Sequence, residues 1–214
     1  MIAIGNTNIT KAYLGSTELK NIAIGDELLL SSEPLPYLKF TALEDGTFKH
    51  NTDALEYSLD EGRTWVALPA NTDTPIITTG NSILWRGTMS PGNKNQYFVA
   101  TGRFNASGNP LSLKYNNDFV GAVCVNYQFY KLFQNCTTLV NAQDLIIPDN
   151  FGGKIRTCME MFEGCTSLVT APELPALTLT TNCYSSMFSG CTSLTTAPQL
   201  PATSLANDCY SRMF

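Results

Sequence analysis

Charge is what this chain has least of. Asp, Glu, Lys and Arg make up 14% of its 214 residues, against about a quarter in ordinary globular domains. The balance is −5, so the chain lacks the basic footprint that a phosphate backbone requires, and nucleic acid is excluded as a partner. Anionic membrane surfaces are disfavoured for the same reason. Histidine occurs once, at His50, and no Ser-His-Asp constellation can be argued around it. There is neither a Gly-x-Ser-x-Gly elbow nor a Gly-x-x-x-x-Gly-Lys phosphate loop. No Cys-x-x-Cys pair exists, which argues against a zinc site. No apolar run approaches the roughly 20 residues that span a bilayer, so membrane insertion is not expected. These absences predict a protein that is not an enzyme and needs no metal or cofactor.

What fills the gap is Thr, Ser, Asn and Gly, as in β-rich extracellular or virion proteins. The opening MIAIGNTNITKAYLG has no basic stretch followed by a continuous apolar one, so it does not read as a secretion signal. Seven cysteines are present, an odd number. Six lie at or near repeating positions, where Cys acts as a small buried hydrophobe stacked on its equivalent.

The chain divides into three predicted parts. Residues 1–33 carry a ten-residue repeat: Ile4-Gly5, Leu14-Gly15 and Ile24-Gly25 recur, each followed at five residues by Ile9, Leu19 or Leu29. Repeated Gly suggests tight turns between short strands. So short a segment buries little core alone and is expected to dock onto something, as an attachment segment. The linker SSEPLP (31–36) follows.

Residues 37–109 read as all β. Candidate strands are 37–43, 47–50, 55–59, 64–68, 75–78, 83–88 and 97–104, rich in aromatic and β-branched residues and separated by turn formers. Seven strands in so short a stretch suggest an immunoglobulin-like β-sandwich. Within it, Ser58, Asp60, Gly62, Thr64 and Trp65 match an Asp-box. That motif is a hairpin turn in which Asp60 binds backbone amides, Gly62 takes positive φ and Trp65 packs beneath. The box resembles those of sialidases, where it is also a structural turn. The adjacent carboxylate pairs Glu44/Asp45 and Asp60/Glu61 point to opposite faces of a strand, unlike the facing pair a glycosidase needs.

Residues 111–214 contain longer repeats. LFQNCTTLVNA, MFEGCTSLVTAPELPA and MFSGCTSLTTAPQLPA begin at Leu132, Met161 and Met187, and MF returns at Met213. Phe133, Phe162, Phe188 and Phe214 are therefore 29, 26 and 26 residues apart. That period, with recurrent Leu, predicts a leucine-rich-repeat solenoid with short helical turns, in which stacked units share one core. Phe133, Cys136, Leu139, Phe162, Cys165, Leu168, Phe188, Cys191 and Leu194 form the expected repeat core. The leucines would lie on a parallel strand ladder ended by Pro172 and Pro198, with helical turns from NCYSSMF. A solenoid ending at Phe214 would lack its polar cap, so the repeats are expected to continue. The outward positions Thr138, Asn141, Thr170, Glu173, Thr196 and Gln199 are the candidate recognition face, suited to weak repeated contacts.

The pattern MFxGCTSLxTAPxLPA resembles the BspA-like leucine-rich repeats of surface proteins in gut Bacteroidota and their phages. The resemblance covers the stretch from about Phe133 to the end and is weakest in the first copy. It implies adhesion or protein recognition rather than catalysis. The N-terminal segment resembles short repeats that attach phage tail and fibre proteins to the particle. Together these imply a virion component, a tail or head fibre or tail-tip protein. It would be a homo-oligomer, holding other virion proteins through its N-terminus and a host-surface glycan or protein through its repeats. The alternatives are a bacterial cell-surface adhesin and the binding part of a larger enzyme.

Overall fold

The computed structural model describes residues 36–90 and 96–214, and the backbone of four short strands before them. Contacts divide the chain into Met1–Leu35 and Pro36–Phe214. In the first unit, β1 (Tyr13–Leu14) pairs antiparallel with β2 (Thr17–Glu18), and β3 (Asn21–Ile24) with β4 (Glu27–Ser31). Ile4, Gly5, Ile9, Gly15, Leu19 and Gly25 of the ten-residue repeat, and most of the linker, lie outside the described residues.

The second unit begins with β5 (Leu38–Ala42), β6 (Phe48–His50), β7 (Leu55–Ser58), β8 (Val66–Leu68), β9 (Ser82–Gly87), β10 (Phe98–Ala100) and β11 (Phe104–Ser107). A single turn of helix, α1 (Ser112–Tyr115), and a last strand, β12 (Leu139–Asn141), follow. The main sheet is open and mixed, in the order β12-β11-β5-β9-β7-β8. Its pairs are antiparallel except β11 with β12, which is parallel. Strand alternation sends Leu38, Phe40 and Ala42 of β5, and Ile83 and Trp85 of β9, into the core. There Phe40 meets Phe48, Trp85, Phe98, Phe104 and Phe133 at centroid distances of 4.8–5.8 Å.

This is not the expected immunoglobulin-like sandwich. Among the described residues of this unit the only other sheet is the two-stranded β6–β10 pair. Two details explain the difference. The stretch 75–78 makes no strand, only the bridge Gly46↔Ile77. The segment expected as one strand, 97–104, is broken at Gly102 into β10, which pairs with β6, and β11, which joins the main sheet. Gly102 passes so close to another segment that a Cβ there would lie 2.8 Å from the carbonyl oxygens of Glu44 and Asp45, and one on Gly46 would lie 2.4 Å from the Gly102 nitrogen. Only glycine admits that backbone crossing.

The expected leucine-rich-repeat solenoid, with its strand ladder and helical turns, is also corrected. Beyond Asn141 the repeats contain no strand and no helix: Leu139 is in β12, but Leu168 and Leu194 follow turns, and Pro172 and Pro198 end no strand. NCYSSMF forms turns as well. The coils stack through these turns. Every second amide in 127–135, 156–164 and 182–188 donates to a carbonyl of the following coil, as in Phe133 N–H to Met161 O (2.8 Å), Phe162 to Met187 (3.0 Å) and Phe188 to Met213 (2.7 Å). Amides between them close turns, as Cys136 N–H does onto Phe133 O (2.9 Å). The turns need a left-handed residue at every fourth position. Tyr127, Lys131, Asn135, Arg156, Glu160, Gly164, Asn182, Ser186, Gly190, Asp208 and Arg212 all have φ between +52° and +75°. For non-glycine residues that backbone is uncommon and costs about 1–2 kcal/mol; the cross-coil hydrogen bonds and shared core offset it.

Inside the coils, equivalent side chains lie in columns. Phe133, Phe162, Phe188 and Phe214 stack with centroids 5.4–5.9 Å apart and planes within 15°. Phe98 of β10 lies against the head of that column, 6.0 Å from Phe133. One continuous hydrophobic core thus runs from the sheet into the coils. Leu194 packs against it but is only half-buried.

Candidate recognition site

The cysteines belong to the columns. All seven are free and buried. The Cys165 thiol donates to Phe133 O at 3.0 Å and the Cys191 thiol to Phe162 O at 3.1 Å, each reaching into the preceding coil. Burial pushes the Cys124 thiol up to about 12 and those of Cys136, Cys183 and Cys191 to about 11. Cys158 and Cys165 are raised well above the ordinary thiol value by the same cause. Thiols held protonated are poor nucleophiles and poor metal ligands. Among the described residues no group of His, Cys, Asp and Glu is placed to hold a metal ion, and no helix is long and apolar enough to cross a membrane.

The Asp-box residues come together as a turn. The Asp60 carboxylate accepts from Thr64 N–H (2.8 Å), the Thr64 hydroxyl (2.6 Å) and the Ser58 hydroxyl (2.7 Å). The Ser58 oxygen accepts from Gly62 N–H at 2.9 Å, and Gly62 has φ +85°. Trp65 Nε1 donates to Gly62 O, and its ring lies between Tyr37, at 4.8 Å, and the Arg86 guanidinium, at 4.2 Å. The hydrogen bonds, that from the Thr64 hydroxyl first, hold the Asp60 carboxyl down to about 2. Neither carboxylate pair converges on a common point. Glu61 pairs with Arg63, Glu44 with Arg103, and Asp45 accepts from Thr79.

The six outward positions divide into two groups. Thr138, Asn141 and Thr170 are half-buried and tied to the fold. The Thr138 carbonyl accepts from Phe104 N–H (3.1 Å), Asn141 Oδ1 accepts from Gln143 N–H (2.7 Å), and the Thr170 carbonyl accepts from Ala142 N–H (3.0 Å). Glu173, Thr196 and Gln199 are exposed. Glu173 and Gln199, equivalent residues of successive copies, are brought to one open groove of about 290 Å³, lined also by Ala171, Pro172, Leu174, Pro175, Pro198 and Pro201.

The prolines were the part of this site that the recognition pattern missed. Their signal is the contrast between copies. In the first copy Gln143 and Ile146 stand where the second has Pro172 and Pro175 and the third has Pro198 and Pro201. Ile146 N–H donates to Gly108 O (2.8 Å), while Gly108 N–H donates back to Asp144 O (3.0 Å), so that segment is zipped to the end of β11. Proline has no N–H to give. From 171 to 176 and from 196 to 202 no main-chain group hydrogen-bonds to another described residue. The groove opens where the prolines interrupt the pairing.

No protein-family profile, curated protein or solved structure matches this chain.

Proposed function

We propose that the chain is a non-enzymatic structural and receptor-binding component of a bacteriophage particle, a tail or head fibre or tail-tip protein. Its N-terminal unit attaches to other virion proteins, and its stacked repeats face a glycan or protein on the host surface. The observation that carries this reading is the groove. Successive copies place equivalent exposed side chains, Glu173 and Gln199, at one opening on hydrogen-bonded, stacked coils. Repeated weak contacts at fixed spacing gain strength from copy number, which suits a homo-oligomeric fibre. The resemblance of the repeats to BspA-like surface proteins, and of the N-terminal repeat to phage attachment segments, points the same way.

The test is mass spectrometry of gradient-purified particles beside the envelope fraction of the producing cells. Recovery with particles at a fixed ratio to the major capsid protein is the expected result. Recovery only in the envelope replaces the phage reading with a bacterial surface adhesin.

A further inference from the structure

The groove has a chemistry of its own, and three observations define it. From Gly164 to Asn207 the only side chain charged at neutral pH is Glu173. It is exposed and makes no ion pair or hydrogen bond with any described residue. The walls around it are apolar, chiefly Pro172, Pro175, Pro198 and Pro201. The N–H groups of Glu173, Leu174, Gln199 and Leu200 have no main-chain partner among the described residues.

An unopposed anion in an apolar cleft complements a cation on an apolar stem. Lysine and arginine are built that way: the methylene chain lies on hydrophobic surface while the head stays at the polar rim. Unpaired peptide groups complement another extended backbone, the basis of recognition by strand addition. A carboxylate also accepts hydrogen bonds from sugar hydroxyls, but no aromatic ring lines the groove to stack on a sugar's faces. We propose that the groove binds an extended segment of a partner protein through a lysine or arginine side chain. Glu173 is its counter-ion, the proline rings hold its stem, and Gln199 contacts its backbone. The proposal rests on reading the repeats as a recognition surface.

The experiment is an NMR titration of the full chain with three probes: a capped Ala-Lys-Ala-Lys-Ala peptide, its Glu counterpart and a neutral maltohexaose. The lysine peptide should move the amide signals of Glu173, Leu174, Gln199 and Leu200, and the Glu peptide should leave them still. Glu173→Gln, at an exposed position, should keep the fold and weaken the lysine peptide about two- to fivefold, the size of one exposed ion pair. Glu173→Lys should abolish the response, and Gln199→Glu should strengthen it. Groove signals that ignore the lysine peptide, or that follow maltohexaose equally in wild type and Glu173→Gln, overturn the proposal. Adhesion of the purified chain to host cells is measured in parallel. If adhesion survives in Glu173→Lys while the wild-type groove ignores lysine, the peptide site is wrong and the receptor reading stands. If the groove responds as expected but the chain does not adhere, the peptide site stands and its partner is not on the host.

Discussion

The first repeat and the two after it share one apolar spine but treat their main chain in opposite ways. In the first, Ile146 and Asp144 of the segment after β12 are hydrogen-bonded to Gly108, the residue just past β11. In the second and third, proline replaces the donor and the same segment is left unpaired. Side-chain columns therefore set how coils stack, whereas single donors set which face is closed. One coil welds the stack to the sheet, and the later coils leave a face open.

That division predicts a ranked set of effects. Phe162→Ala removes a fully buried ring from the middle of the common column. It should cost about 3–5 kcal/mol in denaturant titration, the usual price for a large aromatic. Phe214→Ala, at a position 58% exposed, should cost far less. Equal losses would mean that the column is not the shared spine.

Gly164 and Gly190 sharpen the comparison between joints. Both have positive φ, +73° and +75°, so alanine at either should cost about 1–2 kcal/mol. A Cβ on Gly164 would also lie 2.3 Å from the Asn135 side-chain oxygen, while one on Gly190 meets nothing nearer than 3.6 Å. Gly164→Ala should therefore be the worse of the two, and adding Asn135→Gly should remove the excess. An excess that persists in the double variant would place the strain elsewhere.

The sheet and the coils also differ in acid. His50 is buried in β6, and its protonated form is disfavoured by burial, which outweighs the pull of Asp53. With its folded pKa lowered, its contribution is complete above the ordinary histidine value of about 6.5 and is lost as pH falls below it. Denaturation midpoints should drop between pH 7.5 and 5.5, and His50→Gln should flatten that slope. A slope unchanged by the substitution would move the titration to another group. The Asp60 turn should contribute least and at lower pH. Its lowered carboxyl keeps the turn intact above about 4 and loses it as pH falls toward about 2. Asp60→Asn should soften only that last step of an acid melt.

Much of this was legible in the sequence. The mainly β character of 37–109, the spacing of the stacked Phe rings and the residues of the Asp-box turn follow from spacing and residue type. The turn-built form of the coils did not, because its left-handed positions carry no consistent signal. Gly164, Gly190, Asn135, Asn182 and Asp208 suit positive φ, but Tyr127, Lys131, Arg156 and Glu160 do not advertise it. The split of 97–104 depended on the approach of Gly102 to Glu44 and Asp45, a contact between residues far apart in the chain. The groove was half visible. Glu173 and Gln199 stood out as repeated outward positions, but the prolines read as strand ends rather than as walls.

The joints between coils carry a further consequence. Main-chain bonds span 28 residues at the first joint (Phe133 to Met161) and 25 at each of the next two (Phe162 to Met187, Phe188 to Met213). The three extra residues of the first copy fall in the stretch that includes the exposed Gly152 and Gly153. Duplicating or deleting a 26-residue copy in the gene would thus rebuild the same joint, lengthening or shortening the protein by about 5 Å, the spacing of hydrogen-bonded chains. An unequal crossover between the second and third copies, which share 17 of 26 residues, would yield a change of reach in one step, and with it another groove.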